Sequence, residues 1–503
     1  MPRLMPSSDR LPHALYRAAQ VRELDRAAIE VHGIPGAELM QRAGRAAYRL
    51  LREHWPNARD ITVVCGVGNN GGDGYVLARH ARMDGLSIRV LQLGDQDRLQ
   101  GDARAMSIAY AEAGGHVDPF EGLPQRTDVI VDAILGTGLE REVAGTWAKA
   151  ICAINAHPAP VFAIDVPSGL HSDLGQILGV AVRAQATISF IGLKQGMFTG
   201  AGADCCGEIR FDALHIPAVV YSREVLSARR LDRARRCGLL GRRPRSSNKG
   251  SFGHVLVVGG APGYSGAARL AGEGALRTGA GLVTVATHPD HAAYLNIARP
   301  ELMCPGVSGP SDLEPLLERA TVIAVGPGLG QGAWGQGLLG RILKSELPLV
   351  VDADALNLLA ESPHTRDDWV LTPHPGEAAR LLGIETKAVQ ADRFASVRRL
   401  QERFGGVAVL KGAGTLISGP SHKPPGVCDV GNPGMATAGT GDVLTGMIAA
   451  LIAQGLGPED AACSGVCLHA AAGDAAAESG ERGLLASDLL DNVRPLINSG
   501  VES

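Results

Sequence analysis

The sequence predicts an α/β protein of two domains, and three observations support this prediction. Short apolar and β-branched runs alternate with stretches whose apolar residues repeat at helical spacing. Most of these runs lead directly into glycine-rich or polar turns, as strands do at the carboxyl edge of a parallel sheet. The alternation restarts after a charged stretch at residues 226–245. We therefore expect domains at residues 1–225 and 246–503, joined by a linker, each with a parallel sheet covered by helices.

The composition and charge of the chain exclude several classes of protein. Its 503 residues are 45% hydrophobic and carry a formal net charge of −4, so the chain can bury sizeable cores but presents no basic field for nucleic acid. The arginines of residues 226–245 could form a basic arm, but leucines and acidic residues interrupt them, which favours a solvated linker. No stretch reaches the ~18 apolar residues of a membrane-spanning helix, and the first residues lack the apolar core of a signal peptide. We therefore expect small molecules as partners, with neither nucleic acid nor a membrane.

The nine cysteines include no C-x-x-C pair. Cys205 and Cys206 are adjacent, and Cys463 and Cys467 are four residues apart. This spacing favours reduced, buried thiols over a disulfide framework or a zinc site. Reduced thiols are typical of a cytoplasmic protein, so we expect this protein in the cytoplasm. Separately, we expect it to form a homo-oligomer.

The first domain begins with two helices and then alternates strands with helices. The predicted helices occupy residues 17–30, 36–54, 75–81, 98–113 and 145–156. The predicted strands occupy residues 61–65, 87–93, 128–135, 160–166, 186–192 and 208–211. The near-continuous apolar character of the first strand is typical of a buried, central strand in a parallel sheet.

A glycine-rich stretch at residues 66–74 follows the first strand of this sheet. Between a strand and a helix, such a stretch places backbone N–H groups and a helix dipole at the sheet edge where ligands bind. The short pattern of Gly66 and Gly68 fits a turn that binds nothing equally well. Two amides and an acid packed among glycines make poor core material, so Asn69, Asn70 and Asp73 indicate contact with a ligand.

Asp132 lies inside an otherwise apolar predicted strand. Burying an unpaired carboxylate costs several kcal/mol or more, so this side chain needs a partner. It could accept hydrogen bonds from backbone N–H groups, or it could share a cation with Asn70 and Ser168. All three would be oxygen ligands, which suit a hard cation and argue against zinc.

The second domain repeats the order of strand, turn and helix. Its predicted strands begin near residues 253, 281, 321, 347, 370 and 407, and a helix is predicted at residues 267–278. Lys411 follows the last of these strands and precedes a Gly-x-Gly-Thr turn. Most lysines are simply exposed on the surface, and Lys411 could be one of them. Its position between an apolar strand and this turn nevertheless favours contact with a nucleotide. His374 lies between two prolines and fits a rigid loop residue or a site residue equally well.

The stretch at residues 438–446 combines glycines with a threonine and an acid. Its apolar spacing predicts a buried helix that starts near Gly441, which places Asp442 in the first turn. Glycines at 439 and 441 let the backbone approach a ligand closely, and the free N–H groups of the helix start form an anion site. Asp442 could be only a first-turn carboxylate that stabilises the helix dipole. The combination nevertheless resembles the anion hole and catalytic aspartate of ribokinase-like enzymes.

Three motifs of the first domain resemble the signatures of the YjeF N-terminal domain, the NAD(P)H-hydrate epimerase family. They lie at residues 68–74, 131–138 and 164–169. The resemblance implies a Rossmann-like, three-layer α/β/α fold and interconversion of the R and S hydrates of NADH and NADPH, NADHX and NADPHX, at C6 of the damaged ring. It implies a potassium ion (K⁺) held by Asn70, Asp132 and Ser168.

The same resemblance implies a set of substrate contacts at the ends of three strands. These are Asn69, Asn70, Gly71, Gly72, Asp73, Gly136, Thr137, Gly138, Leu139, Glu140, Arg141, Glu142 and Asp165. We predict Asp165 as the acid/base group of the epimerisation.

Most of residues 250–490 resemble the YjeF C-terminal domain, the NAD(P)H-hydrate dehydratase of the ribokinase superfamily. The resemblance implies phosphorylation of the hydrate hydroxyl and elimination of phosphate, with Asp442 taking the hydroxyl proton and Mg²⁺ offsetting phosphate charge. Fused chains of this type resemble bacterial enzymes, which implies that ADP, in preference to ATP, is the phosphoryl donor. The implied nucleotide contacts are Lys411, Gly412, Ala413, Gly414, Thr415 and Gly441, and the implied hydrate contacts are Ala267, Gly328, His374 and Asp442.

Two other classes of function remain open at this point. A small-molecule kinase would explain Lys411 and Asp442 but would leave residues 69–74 without a role. A first domain that binds without catalysis is the other alternative, and the joint presence of Asn70, Asp132 and Asp165 argues against it.

Overall fold

The computed structural model describes residues 11–232, 236, 239–421 and 423–499. The chain divides into two compact units, Met1–Arg229 and Arg230–Ser503. Residues 233–235, 237 and 238 of the predicted linker lie outside the described residues. Among the described residues, no helix is both long and apolar enough to span a bilayer.

The first unit contains a seven-stranded parallel sheet with strand order β4-β3-β2-β5-β6-β7-β9. A short strand near the start of the unit, β1, pairs in parallel with β8 and antiparallel with β10. The strands are β1 Ala14–Tyr16, β2 Asp60–Cys65, β3 Ser87–Gln92, β4 Val117–Pro119, β5 Val129–Ala133, β6 Val161–Ile164, β7 Ala186–Phe190, β8 Leu193–Lys194, β9 Glu208–Asp212 and β10 Ala228–Arg230.

Helices cover both faces of this sheet. Val63 and Val131 pack into the core that also contains Leu51 of the helix Gly36–His54, whereas their neighbours Val64 and Ile130 pack against the helix Gly145–Ala156. This alternation follows from the two-residue period of a strand. The helices are Ala18–Glu30, Gly36–His54, Asn69–Met83, Gly101–Glu112, Gly145–Ala156 and Gly202–Cys205. The prediction of a three-layer α/β/α domain is therefore confirmed.

The helix after β2 begins at Asn69, not at residue 75 as the sequence predicted. The glycine-rich motif therefore forms the first two turns of a helix instead of a loop. Its glycines are needed for close packing, because a Cβ at Gly71 would lie 2.1 Å from the carbonyl oxygen of Gly66 and one at Gly74 would lie 2.6 Å from the Cβ of Ala133. Tertiary packing here outweighs the low helix propensity of glycine.

The second unit contains an eight-stranded run of sheet, in the order β12-β11-β13-β14-β15-β16-β17-β18. The first six strands are parallel, and β17 and β18 are antiparallel. The prediction of a parallel sheet thus needs one correction: the turn at residues 411–414 is too short for a crossover, so β16 and β17 form a hairpin. The strands are β11 His254–Val258, β12 Leu282–Ala286, β13 Val322–Val325, β14 Leu349–Val351, β15 Trp369–Leu371, β16 Val407–Leu410, β17 Thr415–Ser418 and β18 Gly426–Cys428.

The helix Thr440–Ala453 lies at the centre of the second unit and is buried from Val443 through Ile452. Its glycines permit close approach to the helix Ser265–Thr278, since a Cβ at Gly446 would lie 1.8 Å from the carbonyl oxygen of Ala271. The helices of this unit are Ser265–Thr278, Pro289–Ala292, Glu314–Leu317, Ala333–Ile342, Ala353–Glu361, Pro375–Leu382, Thr386–Ala391, Arg393–Phe404, Thr440–Ala453, Pro458–Ala476 and Ala486–Ile497.

Candidate active sites

Asp132 and Ser168 form the buried centre of the first candidate site. Asp132, in β5, is fully buried and accepts hydrogen bonds from the Ser168 hydroxyl at 2.6 Å, the Ser168 N–H at 2.8 Å and the Ile134 N–H at 3.2 Å. Burial raises the pKa of Asp132 to about 6, against the opposing effect of these hydrogen bonds. The carboxylate therefore has the backbone partners of a structural aspartate and, at the same time, the Ser168 hydroxyl that the cation hypothesis requires.

Asn70 joins this centre through the backbone of Leu135. Its Nδ2 donates to the Leu135 carbonyl at 3.1 Å, and the Leu135 N–H donates to the Ser168 hydroxyl at 2.8 Å. The Asn70 Oδ1 is buried and meets no hydrogen-bond donor among the described residues. A buried amide oxygen without a donor is costly. A cation would satisfy it, so the chemistry of Asn70, Asp132 and Ser168 fits a potassium ion.

Asp165 follows β6 and adopts a left-handed backbone conformation, with φ of 68°. One oxygen of its carboxylate, Oδ1, forms an ion pair with the ammonium of Lys194, the last residue of β8. A Cβ at Gly136 would lie 3.7 Å from the other oxygen, Oδ2, and 3.5 Å from the Cβ of Asn70. Asp165, Gly136 and Asn70 therefore line one cleft at the carboxyl edge of the sheet.

Two further carboxylates lie near this ion pair. Burial raises the pKa of Asp73 well above its ordinary value, and the negative charges of Asp165 and Asp25 raise it further. Asp25, on the helix Ala18–Glu30, has its pKa raised to about 6, chiefly by burial. Sequence reasoning missed both Asp25 and Lys194. A lysine directly after the apolar run at residues 186–193 was the available signal for Lys194.

The other predicted contacts of the first unit divide into packed and exposed positions. Gly71 and Gly72 are buried in the first turn of their helix, and Asn69 is exposed. Residues 137–142 follow β5 at the same sheet edge, and Glu140, Arg141 and Glu142 are exposed there.

A surface cavity of about 490 Å³ in this unit lies elsewhere. It is lined by residues of the helix Gly36–His54 together with His80. Because His80 is in the last turn of the helix that begins at Asn69, this cavity is at the opposite edge of the sheet from Asp165.

The second candidate site is built around Lys411, which follows β16. Its ammonium lies 2.7 Å from Oδ1 of Asp352 and 4.0 Å from Oε2 of Glu377. The other oxygen of Asp352 accepts a hydrogen bond of 2.7 Å from the hydroxyl of Thr445. Burial alone would lower the pKa of Lys411, but Asp352 and Glu377 outweigh burial and raise it. Lys411 is therefore a charged group held at the sheet edge.

Asp442 lies in the first turn of the helix Thr440–Ala453, as predicted. A Cβ at Gly441 would lie 3.2 Å from the Lys411 ammonium, so the start of this helix and Lys411 meet. Burial raises the pKa of Asp442 to about 7, and the charge of Asp352 contributes to this increase while Lys411 opposes it. A carboxylate with a pKa near neutrality is suited to accept a proton.

Two contacts fix the start of the helix at Thr440. Gly439 has φ of 92° and its Cα faces Leu270, where a Cβ would lie 2.5 Å from Cδ1. His469, which is buried, contacts the Thr440 carbonyl through Nε2 at 2.8 Å. Burial lowers the pKa of His469 to about 4, so the ring is neutral and donates this hydrogen bond.

His374 is the N-cap of the helix Pro375–Leu382. Its ring Nδ1 accepts a hydrogen bond from the Gly376 N–H at 3.0 Å. The backbone N–H of His374 donates to the Glu377 carboxylate at 2.8 Å. Burial lowers the pKa of His374, with Lys411 adding to the effect. His374 is thus a rigid capping residue near the charge of Lys411. Its role as a site residue stays a prediction.

The turn at residues 412–415 is shaped by two glycines and a buried arginine. Gly412 and Gly414 have φ of 129° and 62°. The Arg393 guanidinium, 2% exposed, donates to the carbonyls of Lys411 at 3.2 Å and Gly414 at 3.4 Å. This turn therefore presents a fixed backbone next to Lys411.

Gly328 and Ala267, the remaining predicted hydrate contacts, lie together. Gly328 has φ of 58°, and a Cβ there would lie 2.6 Å from the Tyr264 carbonyl oxygen and 3.3 Å from the Cβ of Ala267. The same carbonyl accepts a hydrogen bond from the Ala267 N–H at 3.3 Å. Gly328 follows β13 and Ala267 follows β11, so both residues lie beyond the carboxyl ends of strands in the same sheet.

Sequence reasoning did not assign roles to Asp352, Glu377 or Thr445. Asp352 and Glu377 stand in the polar turns that end two predicted strands, so their position at the edge was visible. Their pairing with Lys411 was not, because Asp352 is 59 residues from Lys411. Among the described residues, no group of three or more His, Cys, Asp or Glu side chains is arranged to hold a metal ion.

Comparison with known proteins places both units in one family. A family model described as NAD(P)H-hydrate dehydratase matches residues 255–495, and one described as YjeF-related protein N-terminus matches residues 36–196. The chain is 49% identical to the bifunctional NAD(P)H-hydrate repair enzyme of Coxiella burnetii over 486 residues, which is 96% of this chain and 99% of that protein. It is 44% identical to the enzyme of the same name from Escherichia coli, over 98% of this chain and 95% of that protein.

The solved structures include a ribokinase-like superfamily protein from Enterococcus faecalis, which is 30% identical with a TM-score of 0.52. The match covers 55% of this chain and 98% of that structure. Together with the near full-length relatives, these matches confirm the predicted pair of an epimerase-type and a ribokinase-like domain. The chain belongs to the family of bifunctional NAD(P)H-hydrate repair enzymes.

Proposed function

We propose that the two clusters described above are the two active sites of this repair enzyme. The epimerase site is the cleft lined by Asp165, Gly136 and Asn70, and the dehydratase site surrounds Lys411 and Asp442. The observation that carries this assignment is that each unit gathers buried charged groups at the carboxyl edge of its own sheet, within the residues that its family model matches.

In the dehydratase site, Asp442 takes the proton of the hydroxyl at C6 of the S hydrate. The oxygen then attacks the terminal phosphoryl group of ADP and AMP leaves. Loss of phosphate from C6 with a proton from C5 restores the double bond of the reduced nicotinamide. Lys411 and the free N–H groups at the start of the helix Thr440–Ala453 offset the charge of the phosphoryl group, and the turn at residues 412–415 holds the nucleotide.

Mg²⁺ is proposed to enter this site with the nucleotide. Mg²⁺ is usually held by one or two carboxylates together with substrate phosphates, and Glu377 is a carboxylate near Lys411 that is neither its closest ion-pair partner nor the proposed base. The ion would neutralise phosphate charge there. The choice of ADP over ATP rests on the resemblance to fused bacterial enzymes.

In the epimerase site, the C6–O bond of either hydrate breaks and reforms on the opposite face of the ring. The ring nitrogen supplies electrons to C6 as the oxygen departs with a proton, and a water molecule then adds. Asp165 accepts the proton of the incoming water. Asp73, with its raised pKa, is a neighbouring group that can hold the proton for the departing oxygen. Asn70, Asp132 and Ser168 would hold K⁺, which supplies positive charge at the end of β5.

We also propose a cytoplasmic homo-oligomer. The thiol state of the buried neighbours Cys205 and Cys206 is consistent with a reducing compartment. Sedimentation analysis of the purified protein tests the oligomeric state.

One experiment tests both sites. The purified enzyme is incubated with mixed R and S NADH hydrates, K⁺ and Mg²⁺, with either ADP or ATP, and the absorbance of reduced nicotinamide is followed. Full recovery with ADP supports both activities and the donor. Recovery that stops at the S fraction contradicts the epimerase assignment. A stable phosphoester without restored NADH would favour a small-molecule kinase.

A further inference from the structure

The two oxygens of the Asp165 carboxylate have different surroundings. Oδ1 is bound by the Lys194 ammonium, whereas Oδ2 is directed toward Gly136, 3.7 Å from the position of a Cβ there. The cleft that Oδ2 faces also contains Asn70. One oxygen is therefore held by the protein, and the other is left for a ligand.

Lys194 is fully committed to protein partners. Its side chain is 1% exposed, and its ammonium donates to Asp165, to the Ser189 hydroxyl at 3.0 Å and to the Phe190 carbonyl at 3.1 Å. A lysine ammonium has three N–H donors, and these three acceptors use all of them. Lys194 thus has no donor left for the hydrate, and its effect must pass through Asp165.

Asp165 is also held in a conformation that aspartate adopts infrequently. Its φ of 68° lies in the left-handed region, which is sparsely populated by residues other than glycine. The Asp165 N–H donates to the Ile188 carbonyl at 2.7 Å. The backbone bond on one side and the lysine on the other determine where the carboxylate points.

The neighbouring titratable groups are acidic. Asp73 faces the pair from the helix Asn69–Met83 and Asp25 from the helix Ala18–Glu30. Lys194 supplies the positive charge among these acidic groups.

We infer that Lys194 is a positioning residue of the epimerase, which fixes Oδ1 of Asp165 so that Oδ2 faces the hydrate. This inference rests on the proposed acid/base role of Asp165. It assigns to a buried residue outside the predicted motifs control over the direction of that carboxylate.

The decisive variants are Lys194→Met, which keeps the length of the side chain without its charge, and Lys194→Arg, which keeps the charge. For Lys194→Met we expect kcat of epimerisation to fall about 100-fold with little change in KM, as misplacement of a catalytic group does. Lys194→Arg can still donate a hydrogen bond to Oδ1 of Asp165 from a positively charged group, so it should recover part of the rate.

Three controls separate this role from a structural one. Thermal unfolding followed by circular dichroism reports whether the epimerase unit remains folded, and the variant should keep its unfolding transition. Dehydration of pure S hydrate should be unchanged, which shows that the effect is confined to the first unit. Lys149→Met removes an exposed lysine of the helix Gly145–Ala156 and should leave epimerisation unchanged. Full kcat of epimerisation in Lys194→Met would overturn the inference.

If Lys194→Met does not fold, Ser189→Ala and Lys194→Arg decide the question. Ser189→Ala removes one acceptor that orients the ammonium, and a reduced kcat with little change in KM is expected. Full kcat in both variants would overturn the inference. Asp165→Asn separates the role of Lys194 from that of Asp165. Full epimerisation in Asp165→Asn would refute the proposed role of Asp165. An inactive Asp165→Asn together with a fully active Lys194→Met would refute only the role of Lys194.

Discussion

The ammonium of Lys411 lies 2.7 Å from Oδ1 of Asp352, and this ion pair connects the ends of β16 and β14. The other oxygen of Asp352 accepts a hydrogen bond from Thr445 on the helix that carries Asp442. One buried carboxylate therefore contacts both the Lys411 ammonium and the helix that carries Asp442. If this cluster is the proposed dehydratase site, removing that carboxylate should reduce dehydration by more than the loss of one charge would.

Asp352→Asn is expected to impair dehydration and leave epimerisation intact. The substitution leaves the Lys411 ammonium without its ionic partner, which costs about 1–3 kcal/mol of stability in a partly buried site. We expect a lower melting temperature and a dehydration rate reduced about 10-fold or more, measured on pure S hydrate with ADP. Asp354→Asn, two residues further along in the first turn of the helix Ala353–Glu361, is the matched control. An equal effect of the two variants would contradict a special role for Asp352.

Dehydration should require the ionised form of Asp442. The pKa of this group is raised to about 7, so the carboxylate is increasingly protonated below that pH. A base must be unprotonated to act, and kcat/KM for dehydration should therefore fall as the pH decreases from 8 to 6 and level off above the pKa. Asp442→Asn should abolish dehydration and spare epimerisation. Loss of both activities in that variant would refute the assignment of separate sites.

Epimerisation should depend on K⁺ through Asn70. The buried Oδ1 of Asn70 meets no donor among the residues that the structure describes, so an ion there would satisfy it. Asn70→Ala should raise the K⁺ concentration needed for half-maximal epimerisation, measured by titration with KCl at constant ionic strength. Asn57→Ala, at an exposed position of the same unit, is the control. Identical K⁺ titrations of the two variants would exclude Asn70 as a ligand.

Gly71→Ala should disrupt the epimerase domain, whereas Gly68→Ala should be tolerated. A Cβ at Gly71 would lie 2.1 Å from the Gly66 carbonyl oxygen, while a Cβ at Gly68 would have nothing within 4 Å. Overpacking of this kind costs about 1–3 kcal/mol. Thermal unfolding and epimerisation of the two variants measure the difference. A fully stable and active Gly71→Ala would show that the helix can shift away from Gly66.

The sequence predicted most of the elements, and its errors have physical causes. The helix after β2 was placed at residue 75, because glycines at 71, 72 and 74 argue against a helix by propensity alone. Contacts of those glycines with Gly66 and Ala133 explain why the helix nevertheless starts at Asn69. The antiparallel β17 and β18 were not foreseen as such, since strand direction depends on the length of the connecting turn.

The sequence by itself determined the two α/β domains, the sheet edge at which each site lies and the residues that stand there. Periodicity, glycine-rich turns and polar strand ends are local signals, so they can be recognised without coordinates. Only the tertiary structure decided which charges meet: Lys194 with Asp165, and Lys411 with Asp352. Burial and ion pairing depend on residues brought together from distant parts of the chain. For that reason Asp442 could be located from the sequence, whereas its pKa near neutrality could not.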